Sequence, residues 1–200
     1  MASRSVEVER KFDVRPGTPV PDWTVVPGVV SVSDGEVRHL DALYLDTPDL
    51  ALAQKGVALR RRTGGPDEGW HIKGPLVDGG RTEVQWPLAG DAVPDEVLAE
   101  LSAWTDGTDL RPLARILNDR VAYELRGAGG EVVAEFVDDS VRSSDLRHEE
   151  ERAWSEWEVE LGPGAPDDVE AFFAAVDEAA FRAGATAPSS TSKLARALGR

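Results

Sequence analysis

The chain predicts a mainly β protein of the α+β class, a largely antiparallel sheet carrying a few helices. Three observations lead there. Nine segments read as strands, at about 5–13, 24–32, 36–45, 57–63, 69–73, 81–87, 120–126, 131–138 and 153–161. Glycine-rich reversals of hairpin length separate several of them: GGPDEG at 64–69, VDGGR at 77–81 and GAGG at 127–130. Helical spacing is confined to four stretches.

Taken in order, VEVERKF places Val6, Val8 and Phe12 on one face and Glu7, Glu9 and Lys11 on the other, because successive strand side chains point to opposite sides. After the strands at 24–32 and 36–45, TPDLALAQ has a capping Thr47 and a first-turn Pro48, which predict a short helix. In VALRRRT, Ala58, Arg60 and Arg62 share a face opposite Val57, Leu59 and Arg61. In GWHIKG, His71 and Lys73 lie together. In RTEVQWP, Arg81, Glu83 and Gln85 oppose Thr82, Val84 and Trp86. Val97, Leu98, Leu101 and Trp104 have the three-and-four spacing of an amphipathic helix over Pro94–Trp104.

The strands at 120–126 and 131–138 flank GAGG, and the run HEEE from His148 reads as a solvated loop before the next strand. There WSEWEVEL sets Glu156, Glu158 and Glu160 against Trp157, Val159 and Leu161. Beyond the loop LGPGAPDD, a helix from Asp167 carries Val169, Phe172, Phe173, Val176, Ala180 and Phe181, with acids in its first turn where the helix dipole favours them. A last basic helix runs from Ser190 through Leu198.

With 200 residues, 41% hydrophobic and 30% charged, and no evident linker or repeat, the chain reads as one soluble domain over 1–200. A net charge of −15 disfavours general nucleic-acid binding and anionic membrane surfaces. The absence of an apolar leader or span in the sequence makes a cytoplasmic location the default expectation. Without cysteine there are no disulfides and no thiolate metal sites. His39, His71 and His148 lack metal-ligand spacing, and no P-loop or dinucleotide fingerprint is present.

For any single strand, a charged face is most simply the wet side of a sheet. The recurrence of RxR and ExE pairs, opposite faces holding Trp86 and Trp157, favours another arrangement. If the apolar sides pack outward against helices, the ionic sides line an interior, where charges need partners or ligands. Arginine and lysine there suit phosphoryl oxygens, and paired carboxylates suit Mg²⁺ or Mn²⁺.

The ordered set ExExK (Glu7, Glu9, Lys11), YLDTPDLAL from Tyr44, LRRR, WHIKG, RTEVQ, the 115–120 segment, EFVDD, EVEL and SSTSKLARAL resembles the CYTH superfamily, the triphosphate tunnel metalloenzymes. The resemblance implies an eight-stranded antiparallel β barrel forming a tunnel, with helices packed outside. It implies metal binding by Glu7, Glu9, Glu158 and Glu160 with Asp138, for which Glu135 and Asp139 are alternatives. Phosphate would be bound by Lys11, Arg60, Arg62, Lys73, Arg115 and Arg120, with Lys193 on a late helix that plugs the tunnel. Lys73 paired with Glu83, or Lys11 paired with Tyr44, resembles proton-accepting dyads of the family, each needing a lysine whose pKa neighbouring cations lower.

The implied activity is metal-dependent hydrolysis of a triphosphate, inorganic tripolyphosphate first. Adenylate cyclase and thiamine triphosphatase activities stand behind it, and a non-catalytic polyphosphate- or nucleotide-binding module is the reading of another class. SKLARALGR resembles the junction at which many bacterial members continue into a histidine-rich CHAD domain, so association with one is a further expectation.

Overall fold

The computed structural model describes residues 2–200. The chain runs β1 (Ser3–Glu7), β2 (Glu9–Val14), a one-turn 3₁₀ helix (Trp23–Val25), β3 (Ser31–Val32), β4 (Glu36–Asp46), α1 (Ala51–Gln54), β5 (Ala58–Thr63), β6 (Gly69–Val77) and β7 (Gly80–Trp86). It continues as α2 (Asp95–Thr105), β8 (Arg111–Arg126), β9 (Val132–Asp145), β10 (Glu150–Leu161), α3 (Val169–Arg182) and α4 (Lys193–Ala197). Every strand pairing is antiparallel, in the order β1-β7-β6-β5-β4-β8-β9-β10-β2, with β3 paired on β8.

The two ends of that order are halves of one segment. β1 pairs with β7 and β2 with β10, and the chain crosses between them at Val8, whose carbonyl accepts from Leu161 N at 3.0 Å. One N-terminal strand therefore joins both edges and closes the sheet. Counting it once and leaving out two-residue β3, the ring has eight strands.

The apolar faces turn outward, as the alternation predicts. α3 lays Phe172, Phe173 and Val176 over Phe12, Phe136 and Trp157. Leu52 of α1 with Val97 and Leu101 of α2 covers Leu59, Trp70, Ile72, Val84 and Trp86. Burying each such side chain contributes roughly 1.5–3 kcal/mol, which fixes the strand parity and sends the alternate, ionic residues inward. A third cluster lies inside: Leu194 and Ala197 of α4 pack on Ala42, Tyr44, Ala114, Ile116, Val141 and Trp154. α4 thereby closes one end of the ring, opposite the β5–β6 hairpin. The side chain of Ser192 caps it, accepting from Ala195 N at 3.1 Å.

Four local expectations are corrected. The predicted strand at 24–32 is mostly the 3₁₀ turn and loop, because Asp22 caps a turn at Thr24 and the ladder with β8 is confined to Ser31 and Val32. β8 begins at Arg111 rather than near 120, and β9 extends to Asp145; their pairing, not local propensity, carries the extra length. HEEE contributes Glu150 and Glu151 to β10 instead of forming a loop throughout. Val6, expected in the outer packing layer, is 68% exposed and joins none of the apolar clusters. Among the described residues no helix is long and apolar enough to cross a membrane.

Candidate functional site

The ring encloses a cavity of about 140 Å³ lined by inward residues from its strands and by α4. Of the residues singled out in the sequence, Glu7, Glu9, Lys11, Tyr44, Arg60, Arg62, Lys73, Arg120, Glu158, Glu160 and Lys193 line it. Glu83 lies just behind this lining, 7% exposed, and holds Arg60 at 3.2 Å and Lys73 at 3.3 Å.

Two candidates fall elsewhere. Arg115 is on the outer face of β8, exposed, and donates through Nε and Nη2 to Asp41 at 3.0 and 2.6 Å. Asp138 points outward beside Trp157, whose indole N–H it accepts at 3.0 Å; burial raises its pKa. Asp139, the alternative one residue on, has the inward parity and is fully buried. FVDD offers an apolar residue in each parity, so its sequence could not choose between the two acids.

The cavity also draws in Arg38, Asp67, Arg81, Asn118 and Glu135. Arg38 lacks a sequence signal because its strand mates Leu40, Ala42 and Tyr44 are apolar or aromatic and mask the ionic face. Glu156, in the parity of Glu158, is buried beside them.

The charges have distinct arrangements. Asp139, Glu156 and Glu158 offer oxygens within 4.8 Å of one another, the spacing of a cation site. The Lys193 ammonium sits among them, 2.9, 2.5 and 2.9 Å from the three. Burial opposes the Lys193 charge, but Asp139, Glu158 and Glu156 outweigh it and hold its pKa well above the ordinary lysine value. Arg120 completes the cluster, donating to both Asp139 oxygens at 2.8 and 2.7 Å and to Glu158 at 3.1 Å. Lys11 bridges Glu158 and Glu9; burial would lower its pKa, yet those carboxylates raise it, so the cation ring does not make this lysine a free base.

On the adjoining side the balance is reversed. Burial, then the hydrogen bond with Glu83, raises Glu7 to about 8 despite its pairing with Lys73. Burial raises Glu160 too, against the pull of Lys73 and with the repulsion of Glu9 and Glu158. Glu7, Glu9 and Glu160 lie where the barrel closes, Glu160 directly opposite Glu9 in the ladder. Lys73 and Lys11 partly balance Glu7 and Glu9, and among the described residues no ion pair holds Glu160; oxygen donors of this kind suit a hard divalent cation, whereas Lys193 already fills the triad of Asp139, Glu156 and Glu158.

Behind the lining, His71 meets two acceptors: Glu83 Oε1 lies 2.6 Å from Nδ1 and the Asp67 carbonyl 3.0 Å from Nε2. Burial pushes the His71 pKa down to about 4, against the charge that two donated protons would need. Burial works to raise Glu83, but hydrogen bonds from His71 and Glu7 and the charges of Arg60 and Lys73 hold it well below the carboxylate range. In Arg62, burial, then the like charges of Arg60 and Arg120, pushes the pKa down to about 9.

The sequence matches the CYTH domain family over residues 5–198. Proteins of two Mycobacterium tuberculosis strains, both uncharacterized, are 42% identical over 212 residues covering 98% of this chain. The chain spans 41% of the length of these relatives. Among solved structures, a candidate adenylate cyclase from Bacillus halodurans superposes with a TM-score of 0.64 at 19% identity, covering 96% of this chain and 97% of its own. HpAC1 from Hippeastrum, an adenylyl cyclase candidate with a dominant triphosphatase activity, gives 0.55 at 14% identity over 97% and 95%. The structural likenesses speak to the fold. The family match covers nearly the whole sequence, and the chain belongs to the CYTH family.

Proposed function

We propose that this CYTH chain hydrolyses a triphosphate with Mg²⁺ or Mn²⁺, inorganic tripolyphosphate being the substrate to test first. One observation carries the reading. Arg60 and Arg62 on β5 and Arg38 on β4 line one part of the cavity, and the carboxylates Glu7, Glu9 and Glu160 on the N-terminal strand and β10 line another, with Arg120 joined to Glu158 between them. A linear polyanion between these walls meets guanidiniums on one side and, on the other, acids that repel it unless a cation intervenes. The triphosphatase activity of HpAC1 agrees with this reading.

Glu7, Glu9 and Glu160 would hold the metal, with Glu158 beside them. A bound divalent cation would supply charge neutralisation and polarisation of a phosphoryl or water oxygen. Arg60, Arg62 and Arg120 bind and orient phosphoryl oxygens, and their positions are fixed before substrate arrives by Glu83, Asp67 and Asp139. Lys73 lies between Glu7 and Glu83, placed to bind phosphate. Lys11 and Tyr44 serve binding in this reading: Lys11 is committed to Glu158 and Glu9, and Tyr44 pairs across strands with Arg60. Phosphoryl transfer of this kind relies on positioning and charge, without a covalent nucleophile.

Phosphate release from tripolyphosphate, dependent on Mg²⁺ or Mn²⁺ and abolished by chelation, is the expected result. Glu9→Ala and Arg60→Ala should each lower kcat/KM by about 100-fold or more; activity retained in both would remove the site assignment. A second reading rests on Leu40, Ala42, Ile116 and Leu194, an apolar shelf in the same cavity that would accept the organic part of a nucleoside or thiamine triphosphate. A panel of ATP, thiamine triphosphate and tripolyphosphate separates the two by kcat/KM.

A further inference from the structure

The β5–β6 hairpin carries an acid into a cavity built for anions. Gly64 and Gly65 both have positive φ, and a Cβ on Gly64 would stand 2.1 Å from the His39 carbonyl. The hairpin therefore lies flush on β4, at the end of the ring away from α4. The Asp67 carbonyl accepts from His71 Nε2 at 3.0 Å and Gln85 Nε2 at 3.2 Å, with Arg62 Nη2 at 3.5 Å. Inward residues of three strands thus hold the main chain in place whatever the side chain does.

The side chain does something separate. Its carboxylate pairs with Arg62, whose own side chain is 7% exposed, while that of Asp67 is 48% exposed. A half-exposed ion pair adds little to stability. It does occupy the anion-facing side of a guanidinium in the phosphate-binding wall, and it sets a negative charge at the open end.

We propose that Asp67 is a specificity-determining residue that limits the site to short anions. The inference rests on the triphosphate reading above and deepens it. The end of a triphosphate displaces the carboxylate from Arg62. The anchored backbone keeps the displaced carboxylate at the mouth. A phosphate chain continuing outward past Arg62 then meets a like charge at close range.

Calorimetric titration of the full chain with tripolyphosphate and with long-chain polyphosphate, each with Mg²⁺, tests the idea in wild type and Asp67→Asn. The variant removes the charge and keeps the carbonyl and its hydrogen bonds. It should bind tripolyphosphate a few-fold tighter and long-chain polyphosphate on the order of tenfold tighter or more, shifting the ratio toward the long chain. Asp91→Asn makes the same charge change on the outer face, where Asp91 pairs with Arg61, and should leave both affinities within about twofold. Asp67→Ser repeats the test should the asparagine variant fold poorly. An unchanged affinity ratio in a folded, neutral variant, or weaker tripolyphosphate binding, overturns the proposal. If wild type itself binds no tripolyphosphate, the triphosphate reading falls first and this one with it.

Discussion

Lys193 occupies a place that three carboxylates would otherwise offer to a metal. Its ammonium touches Asp139, Glu156 and Glu158, and its stem enters from α4 with a side chain only 13% exposed. Replacing it by Met keeps the volume and strands three buried acids with Arg120 and Lys11 as their remaining cations. Removing one partner of a buried ionic cluster costs about 3–5 kcal/mol, chiefly the desolvation of what is left. Lys193→Met should lose that much in urea unfolding at pH 7. The deficit should shrink at pH 4, where protonation relieves the stranded acids. Equal deficits at the two pH values would mean that packing, not charge, sets the cost.

The β5–β6 hairpin makes a similar demand on the backbone. Gly64 has φ +77 and abuts the His39 carbonyl, whereas Gly130, in the β8–β9 turn, has φ +83 and open space within 4 Å of where a methyl would stand. Alanine at Gly130 bears the left-handed conformation alone, about 1–2 kcal/mol. Alanine at Gly64 adds a clash that must lift the hairpin from β4, and should cost more, about 3 kcal/mol or above in thermal unfolding; equal costs would refute the contact. GGPDEG was legible as a turn, and the turn's inward reach was not. That difference runs through the chain. Period-two alternation placed Arg60, Arg62, Lys73, Glu158 and Glu160 on inward faces because Trp86, Trp157 and Leu59 marked the packed side. Where the inward face is itself largely apolar, as around Arg38, or where two acids adjoin, as at Asp138 and Asp139, alternation carries no such mark and only the pairing of the strands decides. Arg115 shows the same limit, since the ends of β8 had no local strand signal. The splitting of the N-terminal strand between two partners was invisible for a further reason: closure is a property of the ring, not of any segment.

The molecule as a whole carries −15, yet acids and bases in its cavity nearly balance, so its response to acid is set from inside. Burial would raise Asp139, but Lys193 and Arg120 outweigh it and lower its pKa; Lys11, Lys193 and Arg120 do the same, more strongly, for Glu158. For a carboxylate lowered on folding, the stabilisation is complete above the unfolded value, about 4, and is lost as pH falls through the folded value. These two groups should therefore draw stability down below about pH 4, while Glu7, raised to about 8 by burial, should let it rise as pH falls from 7 to 5. Because the partners are enclosed, added salt should change this acid limb little, whereas it should ease the outer repulsion at neutral pH. Urea midpoints at pH 3, 5 and 7, each at low and high salt, measure both effects. A fall between pH 7 and 5 as steep as that below 4 would place the controlling acids on the surface, and a strongly salt-dependent acid limb would place them there too.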